Sequence, residues 1–161
     1  MTRYSPVVIV GSGLAGISLA LRLSSIGVKS LLLTKSTLAS GSSLWAQGGI
    51  AAVMDPSDSF EAHIQDTHDA GAGLCNVEAV LTVVEGAPNA IDWLSGAGVD
   101  FDLKEKKSNA LHLAQEGGHS YRRVAHVADS TGRAVVETLD QQVLASSHIE
   151  VLENHLSIDV I

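Results

Sequence analysis

The stretch "VVIVGSGLAGISLALRL", Val7 to Leu23, decides the fold of this chain, because three glycines at G-x-G-x-x-G spacing directly follow an apolar run. A buried strand, a glycine turn and a helix in this order form the first half of a βαβ unit that holds a pyrophosphate at the helix N-terminus. Gly11 permits the tight turn, Gly13 lets the backbone approach the pyrophosphate, and Gly16 allows close helix-to-strand packing. The motif predicts dinucleotide binding, with a purely structural glycine turn as the alternative.

The hydrophobic pattern around this motif predicts an α/β fold built on a parallel sheet. We expect a strand over residues 7–10, a helix over residues 14–25 and a second strand over residues 30–34. The continuous apolar runs of the strands are typical of a parallel sheet with helices on both faces. Residues 35–49 follow neither period and predict a long ordered loop of the kind that usually carries function.

The middle of the chain is predicted to be helical. Asp58 or Ser59 can cap a helix that ends near Ala70. Asn76 can cap a second helix, which Pro88 is expected to kink or split.

The last third of the chain predicts strands around one helix. Residues 99–115 suggest two short strands joined by a charged turn over residues 104–109. Strands are also expected over residues 149–152 and 157–161, and the chain stops inside this apolar pattern, which suggests a fragment. The helix between these regions is predicted to have one apolar face. Its residues are Val135, Val136, Leu139, Val143 and Leu144.

Composition limits the function classes. A length of 161 residues suits one domain, and the net charge of −8 offers no basic surface for a nucleic acid or an anionic membrane. No apolar stretch approaches the roughly 20 residues that span a bilayer. The single cysteine, Cys75, excludes an intrachain disulfide and a Cys-pair zinc site. It favours a reducing compartment, and the cytoplasm is the expected location.

The end of the second strand does not identify the dinucleotide. An acidic residue usually lies about 20 residues after the glycines and bonds a ribose hydroxyl. Here the strand "SLLLTK" ends at Lys35 instead. A cation at this position suits the ribose phosphate of NADP, as in a dehydrogenase, or the adenosine end of another dinucleotide.

The loop "SGSSLWAQGGIAA", residues 40–52, combines small hydroxyl residues with one large aromatic side chain, Trp45. Gln47 offers both a donor and an acceptor, and Gly48 and Gly49 allow close backbone approach to a ligand. The composition predicts a loop that wraps a flat ring, with a flexible linker as the alternative.

Four motifs in order carry a family resemblance: "VGSGLAG", "SSLWAQGGIAA", "DTHDAGAGLCN" and "EGGHSYRRVAHVADSTGR". With them, essentially all 161 residues resemble the succinate dehydrogenase and fumarate reductase flavoprotein family. The resemblance implies a Rossmann-like FAD-binding domain with a parallel sheet and helices on both faces. Residues 1–161 would be the N-terminal segment of this discontinuous and here incomplete domain, without the family's capping and C-terminal helical domains.

The same resemblance implies FAD contacts from the glycine turn, the end of the second strand, the ring-binding loop and a late strand. Family members that bond the flavin covalently carry a histidine at the position of Ser42, and serine lacks the nitrogen for that bond. Non-covalent FAD is therefore expected. The implied cofactor residues are Gly11, Ser12, Gly13, Leu14, Ala15, Gly16, Lys35, Ser42, Ser43, Leu44, Trp45, Ala46, Gln47, Gly48, Gly49, Leu156 and Ser157.

Within the family, the chain resembles the members that oxidise L-aspartate to iminoaspartate and pass the electrons to oxygen or fumarate. Their product feeds quinolinate synthesis for NAD, which implies a functional link to quinolinate synthase. Glu116 matches the glutamate that orients the substrate through its amino group, and a carboxylate can hold an ammonium that succinate and fumarate lack. The alternative is a surface carboxylate or an ion-pair partner of Arg122 or Arg123.

The family's proton-handling arginine lies beyond the matched region, so the isolated chain is expected to be inactive. The same motifs also suit a fumarate reductase with non-covalent FAD, or a domain fragment with no catalytic role.

Five further residues have open roles at this point. Arg122 and Arg123 can either contact a dicarboxylate or form structural salt bridges. His112, His119 and His126 recur every seven residues, but nothing places them on one helix, and no metal site is expected. Hydrogen-bonded structural histidines are the commoner case, and His119 is the best placed of the three to lie near a flavin.

Overall fold

The computed structural model describes residues 5–105 and 110–159. These residues form two compact units, unit 1 from the described parts of residues 1–46 and 132–161, and unit 2 from those of residues 47–131. In chain order the elements are β1 (Val7–Val10), α1 (Leu14–Ser25), β2 (Ser30–Leu33), a 3-10 turn (Ser42–Trp45), β3 (Ile50–Ala51), α2 (Phe60–Gly71), α3 (Val77–Gly96), β4 (Leu113–Ala114), β5 (Val124–Ala125), α4 (Thr131–Ala145) and β6 (Ile149–Leu152). Among the described residues, every helix is too short or too polar to cross a membrane.

Unit 1 is built on a parallel sheet in the order β1-β2-β6. The central strand is buried on both faces, because Leu31 and Leu32 point to opposite sides and are 8% and 0% exposed. Val8 and Val10 of the edge strand β1 are exposed. The predicted parallel α/β architecture is confirmed, as are α1, β1 and β6 with their predicted bounds.

Helix α4 contributes a buried apolar face to unit 1. Val135, Val136, Leu139 and Val143 are buried, as predicted. Leu144 is 72% exposed, so its predicted place on this face is wrong. A helix advances about 100° per residue, which turns the residue after Val143 away from the core.

Unit 2 contains α2, α3 and a small antiparallel sheet in the order β3-β5-β4. Ser59 caps α2 by accepting a bond from the backbone amide of Ala62 at 3.1 Å. Asn76 caps α3 in the same way through the amide of Ala79 at 2.9 Å. Both predicted helices are confirmed, and of the two predicted caps for α2 the structure uses Ser59.

Three predictions of secondary structure are decided by the structure. Of the two outcomes predicted for Pro88, the split is wrong: α3 runs as one helix, and Val84, Ile91 and Leu94 on either side of the proline are buried and hold both halves. Residues 157–159 form no strand, and residues 160 and 161 lie outside the described residues.

The third prediction concerns the pair of strands over residues 99–115. It is reduced to one antiparallel bridge between Leu103 and Leu111, while β4 pairs with β5 instead. Residues 106–109 of the predicted charged turn lie outside the described residues. A bond from the Lys104 amide to the Ala110 carbonyl at 2.9 Å flanks that turn.

Asp140 makes the stability of unit 1 depend on pH. Its side chain lies on the buried side of α4, its Oδ1 atom has no partner among the described residues, and burial raises its pKa to about 6. The folded state therefore binds the proton more tightly than the unfolded state, and stability falls as pH rises from the ordinary value of 3.8 through 6.

We expect Asp140→Asn to raise the free energy of unfolding by about 1 kcal/mol at pH 8, after allowance for solvent screening, and by close to nothing at pH 4. Urea unfolding at the two pH values measures the difference. The exposed Glu137→Gln on the same helix is the control, with an expected change of less than about 0.5 kcal/mol. An equal effect of Asp140→Asn at both pH values would contradict the prediction.

Candidate functional site

A cavity of about 260 Å³ lies in unit 1 at the carboxyl ends of β1 and β2. Ligands of open parallel sheets bind at this edge of the sheet. Residues from three predicted stretches line the cavity, namely Gly11, Ser12, Gly13, Lys35, Leu156 and Ser157. Six further residues that were not among the predicted cofactor contacts also line it, namely Val10, Leu33, Thr34, Ser40, Gly41 and His155.

The glycine turn joins β1 to α1 with an open approach to its backbone. Gly11 has a φ of +108°, and its amide donates to the Leu33 carbonyl at 2.8 Å. Gly13 precedes α1 in an extended conformation, and a Cβ added there would meet nothing within 4 Å. The first turn of α1, which includes Leu14 and Ala15, contains no acidic residue. An anion at this helix N-terminus therefore meets unpaired amides without a competing carboxylate.

Ser12 holds this turn against the segment after β2. Its side chain is buried, its hydroxyl lies 2.9 Å from the Thr34 hydroxyl, and it donates to the Leu38 carbonyl at 3.0 Å. The hydroxyl is thus used inside the protein. What Ser12 can offer a ligand is its backbone, on the side where Gly13 leaves open space.

A tight turn after β6 brings residues 156 and 157 to the cavity. The Asn154 amide donates to the Ser36 carbonyl at 3.1 Å, and the His155 amide donates to the Thr34 carbonyl at 3.0 Å. Asn154 has a φ of +57°. Leu156 and Ser157 therefore reach the cavity from a turn, not from the predicted strand. Asparagine two residues after the apolar strand was the available sequence signal, because it adopts this conformation more readily than most residues.

Residues 42–46 of the ring-binding loop belong to unit 1. The 3-10 turn Ser42–Trp45 leaves the indole of Trp45 71% exposed. The amide of Gly132, in the first turn of α4, donates to the Ala46 carbonyl at 3.0 Å. A Cβ on Gly132 would overlap the Ser43 carbonyl oxygen. Gly132 lies in the last of the four family motifs, and its absent side chain lets the helix end pack on the turn.

Residues 47–49 of the loop belong to unit 2. Gln47, Gly48 and Gly49 are exposed. Gly49 has no room for a side chain, because an added Cβ would lie 2.6 Å from Cγ1 of Val124. An added Cβ on Gly48 would lie 3.3 Å from Oε1 of Glu116. Unit 2 therefore brings together the glycines of the loop and the carboxylate predicted to orient the substrate.

Glu116 begins an exposed turn in unit 2. The His119 amide donates to the Glu116 carbonyl at 3.2 Å, and the Gln115 side chain donates to the His119 carbonyl at 2.7 Å. Gly118 within this turn has a φ of +84°. The Glu116 carboxylate is open to solvent and can accept a cationic group.

The two neighbouring arginines have different environments. Arg122 is exposed and lines a cavity of about 300 Å³ together with Lys104 and Gln115. Arg123 is fully buried, and its Nε and Nη2 donate to the two carboxylate oxygens of Asp58 at 2.9 and 2.8 Å. Its Nη1 donates to Asp66 at 2.7 Å. Arg123 therefore forms structural salt bridges, and its partners are two aspartates and not Glu116.

The three spaced histidines do not converge on one point. His112 Nδ1 lies 2.9 Å from His126 Nε2, and His126 Nδ1 lies 3.0 Å from Asp102. His119 instead contacts His63 edge to face, with ring centroids 5.6 Å apart.

The described residues provide no partner for the buried Nδ1 atoms of His63 and His119. Burial, with the Arg123 charge, lowers the pKa of His63. His63 is therefore uncharged at neutral pH, and it is a further residue that sequence reasoning missed.

A βαβ arrangement with a glycine turn open at the strand ends defines the dinucleotide-binding class of α/β proteins. A family model described as "FAD binding domain" matches residues 6–161, and the chain belongs to this family. FAD is the cofactor that the family identifies.

Among the proteins that are similar to this chain are two oxidases and one reductase of solved structure. The chain is 48% identical to L-aspartate oxidase 1 of Ralstonia nicotianae over 155 residues, which cover 96% of this chain and 29% of that protein. It is 48% identical to the L-aspartate oxidase of Acinetobacter baylyi over 160 residues, which cover 99% of this chain and 29% of that protein. A solved structure of Escherichia coli quinol fumarate reductase has a TM-score of 0.87 at 28% identity. The match covers 96% of this chain and 26% of that one. The chain thus spans about 29% of the length of these two oxidases.

Proposed function

We propose that this chain is the FAD-binding portion of an L-aspartate oxidase, which oxidises L-aspartate to iminoaspartate and passes the electrons to oxygen or fumarate. One observation carries the proposal: the cavity at the glycine turn lies in a chain that is 48% identical, over 96% of its length, to a protein named L-aspartate oxidase. The product supplies quinolinate synthesis for NAD, which links the enzyme to quinolinate synthase. A cytoplasmic location fits the single cysteine.

The residues of unit 1 suit the nucleotide part of FAD. The open backbone at Gly13 and the first-turn amides of α1 would hold the pyrophosphate. Exposed Lys35 and the backbone of Leu156 and Ser157 line the same cavity and would meet the adenosine part. A Cβ at Gly13 would fill space that the cavity leaves open. The glycine turn therefore has room for an anionic group held by backbone amides.

For residues 42–49 the family resemblance implies contacts to the flavin ring. Ser42, Trp45, Ala46, Gln47, Gly48 and Gly49 are exposed, and the Gln47 amide can donate and accept. Ser42 has no ring nitrogen to bond the flavin, so FAD is held without a covalent link. When bound, FAD supplies the two-electron oxidation, and the protein supplies binding and orientation.

Glu116 supports an amino-acid substrate. Its exposed carboxylate next to Gly48 can pair with the α-ammonium of L-aspartate, and succinate offers no such group. Charge pairing in this position discriminates between two substrates of otherwise similar shape. Arg122, also exposed, is the cation that can meet a substrate carboxylate, whereas the buried Arg123 cannot.

A fumarate reductase with non-covalent FAD is the second candidate, favoured by the TM-score of 0.87 to a fumarate reductase structure. The two candidates differ in the substrate. A protein of the relatives' length that contains this chain, called the long form below, decides between them. L-aspartate oxidation in preference to succinate oxidation supports the proposal, and the reverse preference overturns it.

FAD binding to the 161-residue chain tests the cofactor site. We expect weak binding with a rise in Tm and no turnover, because the relatives carry further segments. Gly13→Ala leaves the fold intact, since its Cβ has open space, but weakens FAD binding at least about tenfold because that space faces the pyrophosphate. Flavin absorbance and thermal shift measure both effects.

The matched control is Gly86→Ala in α3, which also has open space and is expected to leave FAD affinity unchanged. Acid precipitation of the loaded protein should leave all flavin in the supernatant. No thermal shift at saturating FAD, or flavin in the pellet, would contradict the assignment.

Removal of the Glu116 charge tests the substrate assignment. In the FAD-loaded long form, Glu116→Gln is expected to raise the KM for L-aspartate about tenfold or more, the effect of losing a hydrogen bond to a charged group. The control is Glu61→Gln, an exposed carboxylate in the first turn of α2. Steady-state kinetics measure both variants, and an unchanged KM in Glu116→Gln would remove the role assigned to Glu116.

A further inference from the structure

Asp66 on α2 binds the turn that carries Glu116. The Ser120 amide donates to Asp66 Oδ2 at 2.7 Å, and the Ser120 hydroxyl donates to Oδ1 at 2.6 Å. One carboxylate thus holds the end of the 116–120 turn through both its oxygens.

The Asp66 carboxylate is itself held by a buried cation. Arg123 donates from Nη1 to Asp66 Oδ2 at 2.7 Å, and the guanidinium is fully buried. The other edge of the guanidinium pairs with both oxygens of Asp58. Bidentate pairing fixes the plane of an arginine side chain, so Asp66 is anchored to a rigid group.

The charges of this cluster favour an ionised Asp66. The two bonds from Ser120, and then Arg123, hold the pKa of Asp66 below its usual range. A carboxylate that stays ionised keeps all three bonds, and each bond to a charged group is stronger than a neutral one.

The turn that ends at Ser120 connects this anchor to Glu116. The bond from the His119 amide to the Glu116 carbonyl closes the turn, so its two ends move together. The Glu116 side chain itself is exposed and lies beside Gly48. Its place is therefore set by its backbone, because little packing around the side chain holds it.

We propose that Asp66 is a positioning residue for Glu116: through Ser120 it holds the turn in the one conformation that presents the Glu116 carboxylate to the substrate ammonium. The inference rests on the proposed function. A turn released from Asp66 samples more conformations, and ordering it then opposes the binding of any substrate that needs Glu116. A dicarboxylate without an ammonium does not need Glu116, so release of the turn should not weaken its binding.

The test compares two ligands in the FAD-loaded long form. KM and kcat are measured for L-aspartate, and the affinity of succinate is read from its perturbation of the flavin absorbance. The variants are Asp66→Asn and the milder Ser120→Ala, which keeps the ion pairs of Arg123. The matched control is Asp69→Asn, an exposed aspartate on the same helix whose carboxylate accepts a bond from Gln65.

We expect both variants to raise the KM for L-aspartate about five- to tenfold, with kcat and the succinate affinity within about twofold of the parent. Asp69→Asn should change neither the KM for L-aspartate nor the affinity for succinate. An equal loss of affinity for both ligands would indicate a merely structural role and overturn the inference, as would variants that behave like Asp69→Asn.

Glu116→Gln separates this inference from the proposed function. If Glu116→Gln leaves the KM unchanged, the assigned role of Glu116 fails and the inference fails with it. If Glu116→Gln raises the KM while Ser120→Ala does not, the inference about Asp66 alone is overturned.

Discussion

Replacing Gly16 by alanine is expected to lower the free energy of unfolding by about 3 kcal/mol and to abolish FAD binding by the chain. A Cβ at this position would overlap the Gly11 carbonyl oxygen and lie 3.3 Å from Cγ2 of Ile9. The clash is with backbone, which cannot swing away as a flexible side chain can. Relief requires α1 to move off β1, and that movement opens the turn whose amides would hold the pyrophosphate.

Urea unfolding followed by circular dichroism measures this loss. Gly86→Ala is the matched control, because it lies inside α3 with nothing near the added methyl group. Alanine is the better helix former there, so we expect a gain of about 0.5–1 kcal/mol. Equal effects of the two substitutions would refute the packing explanation for Gly16.

Replacing Arg123 by methionine is expected to lower the free energy of unfolding by about 3–5 kcal/mol at pH 7, as when one partner of a buried ion pair is removed. The substitution leaves the side chain of Asp58, which is 0% exposed, without its bidentate partner. It also removes one of the three bonds to Asp66. Methionine fills much of the arginine volume, so the loss reports the charge and not a cavity.

The loss should depend on pH in a defined direction. The parent holds the pKa of Asp66 low through Ser120 and Arg123, so its stability is present above the usual aspartate range and declines as pH falls through the lowered pKa. Without Arg123 the pKa is less depressed, and the gap between parent and variant narrows below about pH 4. Arg122→Met, an exposed neighbour, should change stability by less than about 0.5 kcal/mol. A gap that stays constant with pH would contradict this account.

Much of unit 1 was predictable because its signals are local. An apolar strand, a glycine turn and an amphipathic helix each follow from short-range sterics and burial, and β1, α1 and β6 appear with their predicted bounds. The caps at Ser59 and Asn76 are equally local, since a side chain bonds an amide three residues ahead.

The errors arose where packing between distant residues overrides a local preference. Pro88 was predicted to kink or split α3, and the split does not occur because buried residues on both sides keep the helix continuous. Residues 157–159 alternate polar and apolar types as a strand does, but the turn at Asn154 leads Leu156 and Ser157 to the cavity and no strand forms. β4 pairs with β5 because strand pairing is decided by contacts far apart in sequence.

The candidate site divides in the same way. The glycines could be selected from sequence because residue type and spacing carry their chemistry, whereas Glu116 was selected through the family resemblance of its motif. The roles of Arg122 and Arg123 could not be separated, since adjacent arginines look alike in sequence and differ only in burial. Asp66 and Gly132 lie in motifs that carry the family resemblance, but their contacts could not be predicted, nor could those of His63, because the partners lie far away along the chain.

The sequence by itself determined the class of fold and the glycine turn, because both depend on motifs that act over a few residues. FAD as the expected cofactor came from the resemblance to the flavoprotein family. Only the tertiary structure decided that Arg123 is a buried structural cation, that Ser12 uses its hydroxyl on Thr34 and Leu38, and that Asp66 holds the turn of Glu116. The physical reason is that a charge or hydroxyl acquires its role from burial and from its partner. Both are set by the folding of the whole chain.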